Sequence, residues 1–282
     1  MSKLDETMEL LETGIERLKE SSEWKNYLVV QSKFHGYSFQ NALLIYFQRP
    51  DATRVAGFRK WKELNRFVKK GEHGISILAP RFKKVEKKES EEAALLEDAA
   101  DEKKRRLVGF LSVSVFDIAQ TDGEPLPDRP YQMILPGDTG WYAQMKTGCP
   151  FTVTEAEKDA LGGAYGDYNR RTKLIRVRED MPEATKAKVL AHEWAHGLLH
   201  SIDAERPDRP TRELEAESTA FVVMQSLGFD TSDISFGYIA DWCSNEDDIK
   251  DVIRGCGSRI QKAASTILGT VQPTPVIEKE AV

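Results

Sequence analysis

Three of the five histidines in this 282-residue chain fall within nine residues, at 192, 196 and 200, and residues 192–196 read His-Glu-Trp-Ala-His. No other feature limits the local fold so tightly, because side chains at i and i+4 share a face only on a helix. The segment from Pro182 to about Ile202 is predicted helical, with Pro182 near the first turn, where proline is tolerated. On such a helix His192 and His196 present two imidazoles to one metal ion. Glu193 stands about 100° around the axis, where it reaches a water rather than the metal. With zinc as the ion, the pKa of that water drops to roughly 7, and Glu193 takes its proton as the water attacks a carbonyl.

A catalytic zinc takes three protein ligands and leaves a fourth position open. The next predicted helix, about Thr211–Leu227, contains Arg212-Glu-Leu-Glu-Ala-Glu217. Glu213 and Glu217 share a face, and Glu215 points away from them. One of the pair binds the metal and the other holds a ligating imidazole; Glu213 is the preferred ligand and Glu217 the preferred orienter. Without the histidines, this would read as a solvated acidic face. His200 extends the row by one turn, but one helix rarely presents three ligands to one ion, so it is expected to support the ligands from behind or to be structural.

Charge divides the chain. Residues 24–80 hold ten basic and three acidic side chains, net +7, whereas residues 131–282 hold 17 basic and 24 acidic, net −7. The length accommodates two domains, and opposite charge in the two halves suggests different partners. The basic half is the one able to meet a polyanion. It interleaves ten aromatics with its cations: Trp24, Tyr27, Phe34, Tyr37, Phe39, Tyr46, Phe47, Phe58, Trp61 and Phe67. A basic groove with stacking aromatics is how single-stranded nucleic acid is bound, although most of these rings must be core and only two to four are expected to be exposed. The expected contacts are Arg59, Lys60, Lys62, Arg66, Lys69 and Lys70, with Trp61 and the polar Gln40 and Asn41. The alternative is a small domain with a solvated basic face.

Periodicity predicts helices over 3–20, about 24–47 (interrupted at Gly36), 57–64, 139–147, 182–202, 211–227, 235–243 and 247–268. It predicts strands at Ile75–Leu78, Leu107–Phe116 and Lys173–Arg178. Gly162–Tyr168 reads as a glycine-rich turn. The fold class is α+β: a small mixed α/β DNA-binding domain over 1–130, then a mainly helical metallopeptidase-like domain with a small sheet over 131–270. Residues 81–106, with nine basic and eight acidic side chains, read as a solvated charged excursion. Residues 271–282 read as a loose tail. No apolar run approaches the roughly 18 residues a membrane span needs. Three scattered cysteines exclude a disulfide scaffold, and without a CxxC a cysteine zinc site is not expected. With no signal-peptide pattern at the start, the cytoplasm is the expected compartment.

Two resemblances attach to these residues. Val189-Leu-Ala-His-Glu-Trp-Ala-His-Gly-Leu-Leu-His200, followed by Glu213-x-x-Ala216, resembles the ImmA/IrrE-type metallopeptidases, which are small gluzincins. That resemblance implies zinc on the two histidines and on the Glu of the ExxA element, Glu213. It also implies that the strand Lys173–Arg178 is the edge along which a peptide substrate lies. Glu217 departs from the residue usual in ImmA-like proteins and resembles a second family instead. Asn41-Ala-Leu-Leu-Ile-Tyr, Arg54-Val-Ala-Gly-Phe-Arg-Lys-Trp61, Val68-Lys-Lys-Gly-Glu-His-Gly-Ile75 and Val115-Phe-Asp-Ile-Ala-Gln-Thr121 resemble the N-terminal domain of ArdC-type antirestriction proteins. This second resemblance implies single-stranded DNA binding without sequence preference, joined to a C-terminal metallopeptidase-like domain.

The leading expectation is therefore a single-stranded-DNA-binding zinc metallopeptidase, antirestriction or mobile-element related, with an unknown protein substrate. A non-enzymatic antirestriction DNA-binding protein with a structural or vestigial metal site is the alternative. A third reading has the basic half meeting an acidic protein.

Overall fold

A computed structural model of the chain describes residues 1–84, 105–126, 140–200, 207–229 and 249–271. The predicted helix 235–243, most of the charged excursion, the tail beyond 271 and the segment 127–139 around the expected domain boundary lie outside the described residues.

The chain opens with three helices, α1 (Lys3–Arg17), α2 (Ser21–Lys33) and α3 (Phe39–Gln48). A capping box starts α1: the Asp5 amide donates to the Ser2 hydroxyl, and the Ser2 amide donates to the Asp5 carboxylate. The long helix expected over 24–47 is two helices, separated by a turn through Gly36 and restarted by the N-cap hydroxyl of Ser38. Then come β1 (Val55–Gly57), α4 (Phe58–Glu63), β2 (Arg66–Val68), β3 (Ile75–Lys84), β4 (Arg105–Asp117) and β5 (Thr121–Gly123). They form an antiparallel sheet in the order β1-β4-β3 and a separate β2-β5 pair.

The edge of β3 that faces away from β4 is closed by two amide side chains of α3. Asn41 exchanges two hydrogen bonds with the Leu78 backbone, both 2.9 Å, and Gln48 does the same with Ser76 at 2.8 and 2.9 Å. At Ser76 and Leu78 the edge is thereby occupied and offers no ladder to a neighbouring chain.

The second part comprises α5 (Trp141–Gly148), β6 (Thr152–Ala156), β7 (Gly166–Asn169), β8 (Leu174–Arg178), α6 (Glu183–Leu199), α7 (Arg209–Ser226) and α8 (Ile249–Val271). Asp208 caps α7 by accepting from the Thr211 amide at 3.0 Å, and Pro210 occupies the first turn. The sheet order is β6-β8-β7, with β6 and β8 parallel and β7 antiparallel. This corrects the edge-strand expectation: β8 is the central strand, hydrogen-bonded on both sides. The edge beside α6 is β7, from a segment whose glycines suggested only a turn.

One hydrophobic core runs through both parts, from Leu11 and Trp24 to Trp194, Phe221 and Ile267. Helix α2 packs on α7, where the Trp24 indole donates to the Ser218 hydroxyl at 3.2 Å and Ser226 donates to the Ser32 carbonyl at 2.9 Å. Helix α8 lies against α1 and α3. At Gly257 an added Cβ would meet the Phe39 ring at 2.2 Å, so only glycine lets that ring rest on the α8 backbone. Among the described residues, no helix is long and apolar enough to cross a membrane.

Candidate metal centre and basic surface

Helices α6 and α7 pack face to face and bring His192, His196 and Glu213 together. The Nε2 atoms of the two histidines stand 3.1 Å apart, and Oε2 of Glu213 is 3.6 Å from each. A tetrahedral zinc with nitrogen and oxygen ligands at about 2.0–2.2 Å holds its ligand atoms about 3.3 Å from one another, so this triangle fits such an ion. The donor set, two imidazoles and a carboxylate, also suits other divalent metals.

Each imidazole is supported from behind. Nδ1 of His192 faces Oε2 of Glu217 at 3.2 Å, and the other carboxylate oxygen accepts from the Lys188 ammonium at 2.8 Å. Burial works to raise Glu217, but the His192 hydrogen bond and Lys188 overcome it and bring the carboxyl to about 2. Nδ1 of His196 faces Nδ1 of His200 at 3.0 Å. His200 is buried, and its Nε2 lies 2.8 Å from Oε2 of Glu215. Glu215 does point away from Glu213 and Glu217, as expected, but it is fully buried rather than part of a solvated face, and Arg259 of α8 donates to it from Nε at 2.7 Å.

Glu193 sits beside this triangle, half-buried. Burial raises its carboxyl to about 7; His192 opposes that shift, while Asp167 and Glu213 add to it. Strand β7 passes close by. A Cβ at Gly166 would come within 2.5 Å of the Val189 side chain and 3.4 Å of the Glu193 side chain. Only a glycine there lets the edge strand run against α6 at the position of the acid.

The basic surface differs from the sequence expectation at three residues. Asn41 is buried and tied to Leu78, and Trp61 is buried with its indole donating to the Phe116 carbonyl at 2.8 Å. Both side chains are turned inward. The Arg66 guanidinium ties β2 to β5, donating to the Thr121 hydroxyl at 2.8 Å and to the Thr121 and Gly123 carbonyls. Gln40 is half-buried. Lys60 pairs with Glu63 at 3.2 Å, and Lys69 donates to the Ala119 carbonyl at 3.0 Å. Arg59, Lys62 and Lys70 project into solvent with no partner among the described residues.

Seven of the ten aromatics are buried and Phe47 is half-buried; Phe58 and Phe67 remain, each 58% exposed. They stand at the start of α4 and on β2, two elements packed against each other, among the unpaired cations.

Residues 4–116 match the N-terminal domain of anti-restriction factor ArdC, and residues 150–234 match the IrrE N-terminal-like domain, of the M78 peptidase family. An uncharacterised protein of Bacillus anthracis is 27% identical over 85% of this chain, and the chain spans 46% of that relative's length. The metal-free and Mn(II)-bound crystal structures of antirestriction ArdC from plasmid R388 share the fold, with TM-scores of 0.51 and 0.50. Their identity to this chain is 19% and 20%, over 83% of this chain and 85% of theirs. Two family models thus match the chain in order, the ArdC N-terminal domain over 4–116 and the IrrE N-terminal-like domain over 150–234.

Proposed function

We propose that the chain is a cytoplasmic single-stranded-DNA-binding protein whose second part is a zinc-dependent peptidase, with His192, His196 and Glu213 as metal ligands and Glu193 as general base. The convergence of three ligand atoms from two helices, with a half-buried carboxyl beside them, carries this reading. The Mn(II)-bound state of the R388 relative supports a divalent cation in this fold.

A cation held there supplies the Lewis acidity that peptide-bond hydrolysis needs. The protein's own groups do the rest. Glu217 and His200 fix the two imidazoles so that their Nε2 atoms converge with Oε2 of Glu213, where the three would hold a cation. The Glu193 carboxylate accepts a proton from the attacking water and returns it to the leaving amine. Strand β7, an edge running past Glu193, offers backbone groups to an extended substrate. Glu193→Gln is expected to retain the metal and to lower cleavage of casein, or self-cleavage, by about 100-fold or more, the usual contribution of a general base. Unchanged cleavage in that variant would remove Glu193 from the mechanism.

On the other part, Phe58 and Phe67 are positioned to stack on unpaired bases, and Arg59, Lys62 and Lys70 to meet phosphates, with Lys60 and Lys69 at the margin. Rings can stack only on bases that are not already stacked in a duplex, which favours a single strand.

A further inference from the structure

We propose that Arg259 is a positioning residue of the metal centre, acting through Glu215 and His200 to hold His196 in the tautomer that can bind a cation. The proposal rests on the metal reading above and adds to it a residue of α8, a helix outside both family-matched segments.

The chain of hydrogen bonds is continuous. Arg259 Nε donates to Oε1 of Glu215 at 2.7 Å, and a second guanidinium nitrogen pairs with the same carboxylate. Oε2 of Glu215 lies 2.8 Å from Nε2 of His200, and Nδ1 of His200 lies 3.0 Å from Nδ1 of His196. Nε2 of His196 faces the other ligands. Glu215 is 0% exposed and His200 3%, so water does not complete either group.

Proton inventory fixes the direction of the chain. An ionised carboxylate only accepts, so His200 donates to Glu215 from Nε2. A neutral imidazole carries one proton, so Nδ1 of His200 is then an acceptor. His196 must donate to it from Nδ1, and this leaves the lone pair of His196 on Nε2, where the metal would sit. The opposite order would put a proton on Nε2 of His196 and close the site. His192 reaches the same state with one carboxylate, Glu217, placed directly behind it. For His196 the carboxylate is one imidazole further away, and the guanidinium, with two nitrogens on Oε1, is what holds it in place and compensates its buried charge. Without Arg259, the buried Glu215 carboxylate loses its cation and keeps only the Cys256 thiol beside His200, which weakens the acceptor that sets the His200 tautomer.

The test uses the full chain, stripped of metal by a chelator and titrated with Co(II), whose visible absorption reports ligand geometry. Arg259→Ala is expected to weaken Co(II) binding by about 10-fold, the lower end for a residue supporting a ligand, and to shift the visible bands. Arg259→Lys keeps the charge but not the fork and should recover part of the loss. Arg254→Ala is the control for a general effect of α8: Arg254 pairs with Asp251 and Glu12, away from this chain of hydrogen bonds, and its removal should leave the Co(II) affinity unchanged. Wild-type affinity and spectrum in Arg259→Ala would overturn the proposal, and so would an equal loss in Arg254→Ala. A wild-type chain that takes up no Co(II) would overturn the metal reading itself, and the proposal with it.

Discussion

At the junction of α6 and α7, polar side chains turn inward and each is held by another: His192 by Glu217, His196 by His200, His200 by Glu215, Glu215 by Arg259. On α4 and β2 the arrangement is reversed. Phe58, Phe67, Arg59, Lys62 and Lys70 face solvent, and these cations have no partner among the described residues. An ion needs a few atoms fixed to within tenths of an ångström, which takes burial and support from behind. A flexible polyanion needs accessible charge and rings, which internal hydrogen bonds would remove from use. Where side chains of the basic segment are internally satisfied, as in Asn41, Trp61 and Arg66, they build the scaffold instead.

The largest expected effect would break the comparison outright if it failed. His192→Ala/His196→Ala should reduce zinc from one per chain to background by elemental analysis and lower the melting temperature, since metal that binds only the folded state stabilises it. In the same variant, anisotropy with a labelled single-stranded oligonucleotide should give the wild-type affinity within about twofold, as expected for sites with no shared residues. Retained metal would end the ligand assignment. A large loss of DNA binding would show that the two surfaces depend on one another.

The next effect sharpens the outward-facing side. Phe58→Ala/Phe67→Ala should weaken single-strand binding by about 10-fold or more, as stacking contributes about 1–3 kcal/mol per engaged base, without changing the salt slope. Lys62→Gln/Lys70→Gln should instead flatten the slope of log affinity against log salt by roughly 1.4, about 0.7 for each phosphate no longer neutralised. Equal or tighter binding of duplex would remove the stacking argument.

The smallest effect separates scaffold from surface within the basic segment. Asn41→Ala leaves the Leu78 amide and carbonyl without partners on a buried strand edge. It should cost about 1–3 kcal/mol in chemical denaturation and leave the oligonucleotide affinity of the folded protein unchanged. The reverse outcome, normal stability with weakened binding, would return Asn41 to the surface.

Most helices and the juxtaposition of the candidate ligands were legible because their rules are local. The i, i+4 spacing of His192 and His196, and of Glu213 and Glu217, is set by helical pitch alone, and each pair does share a face. Strands β4 and β8 showed themselves by alternation and the start of β3 by its apolar run, whereas residues 81–84 and 105–106, read as part of the charged excursion, belong to β3 and β4. Strands β1, β2 and β5 are three residues each, too short to carry a pattern, and β7 lay behind its glycines. That β8 is central follows from pairing with β6 and β7, which only the assembled sheet decides.

What tertiary structure alone decided is which side of each residue faces water and which distant residues meet. Composition marked ten aromatics among ten cations but could not say that Phe58 and Phe67 stay outside while Trp61 is covered, because burial depends on what packs on top. Nothing within α8 singles out Arg259. Its partner Glu215 is 44 residues away in sequence, and the pair exists only because α7 and α8 pack side by side in the one core that joins both parts of the chain.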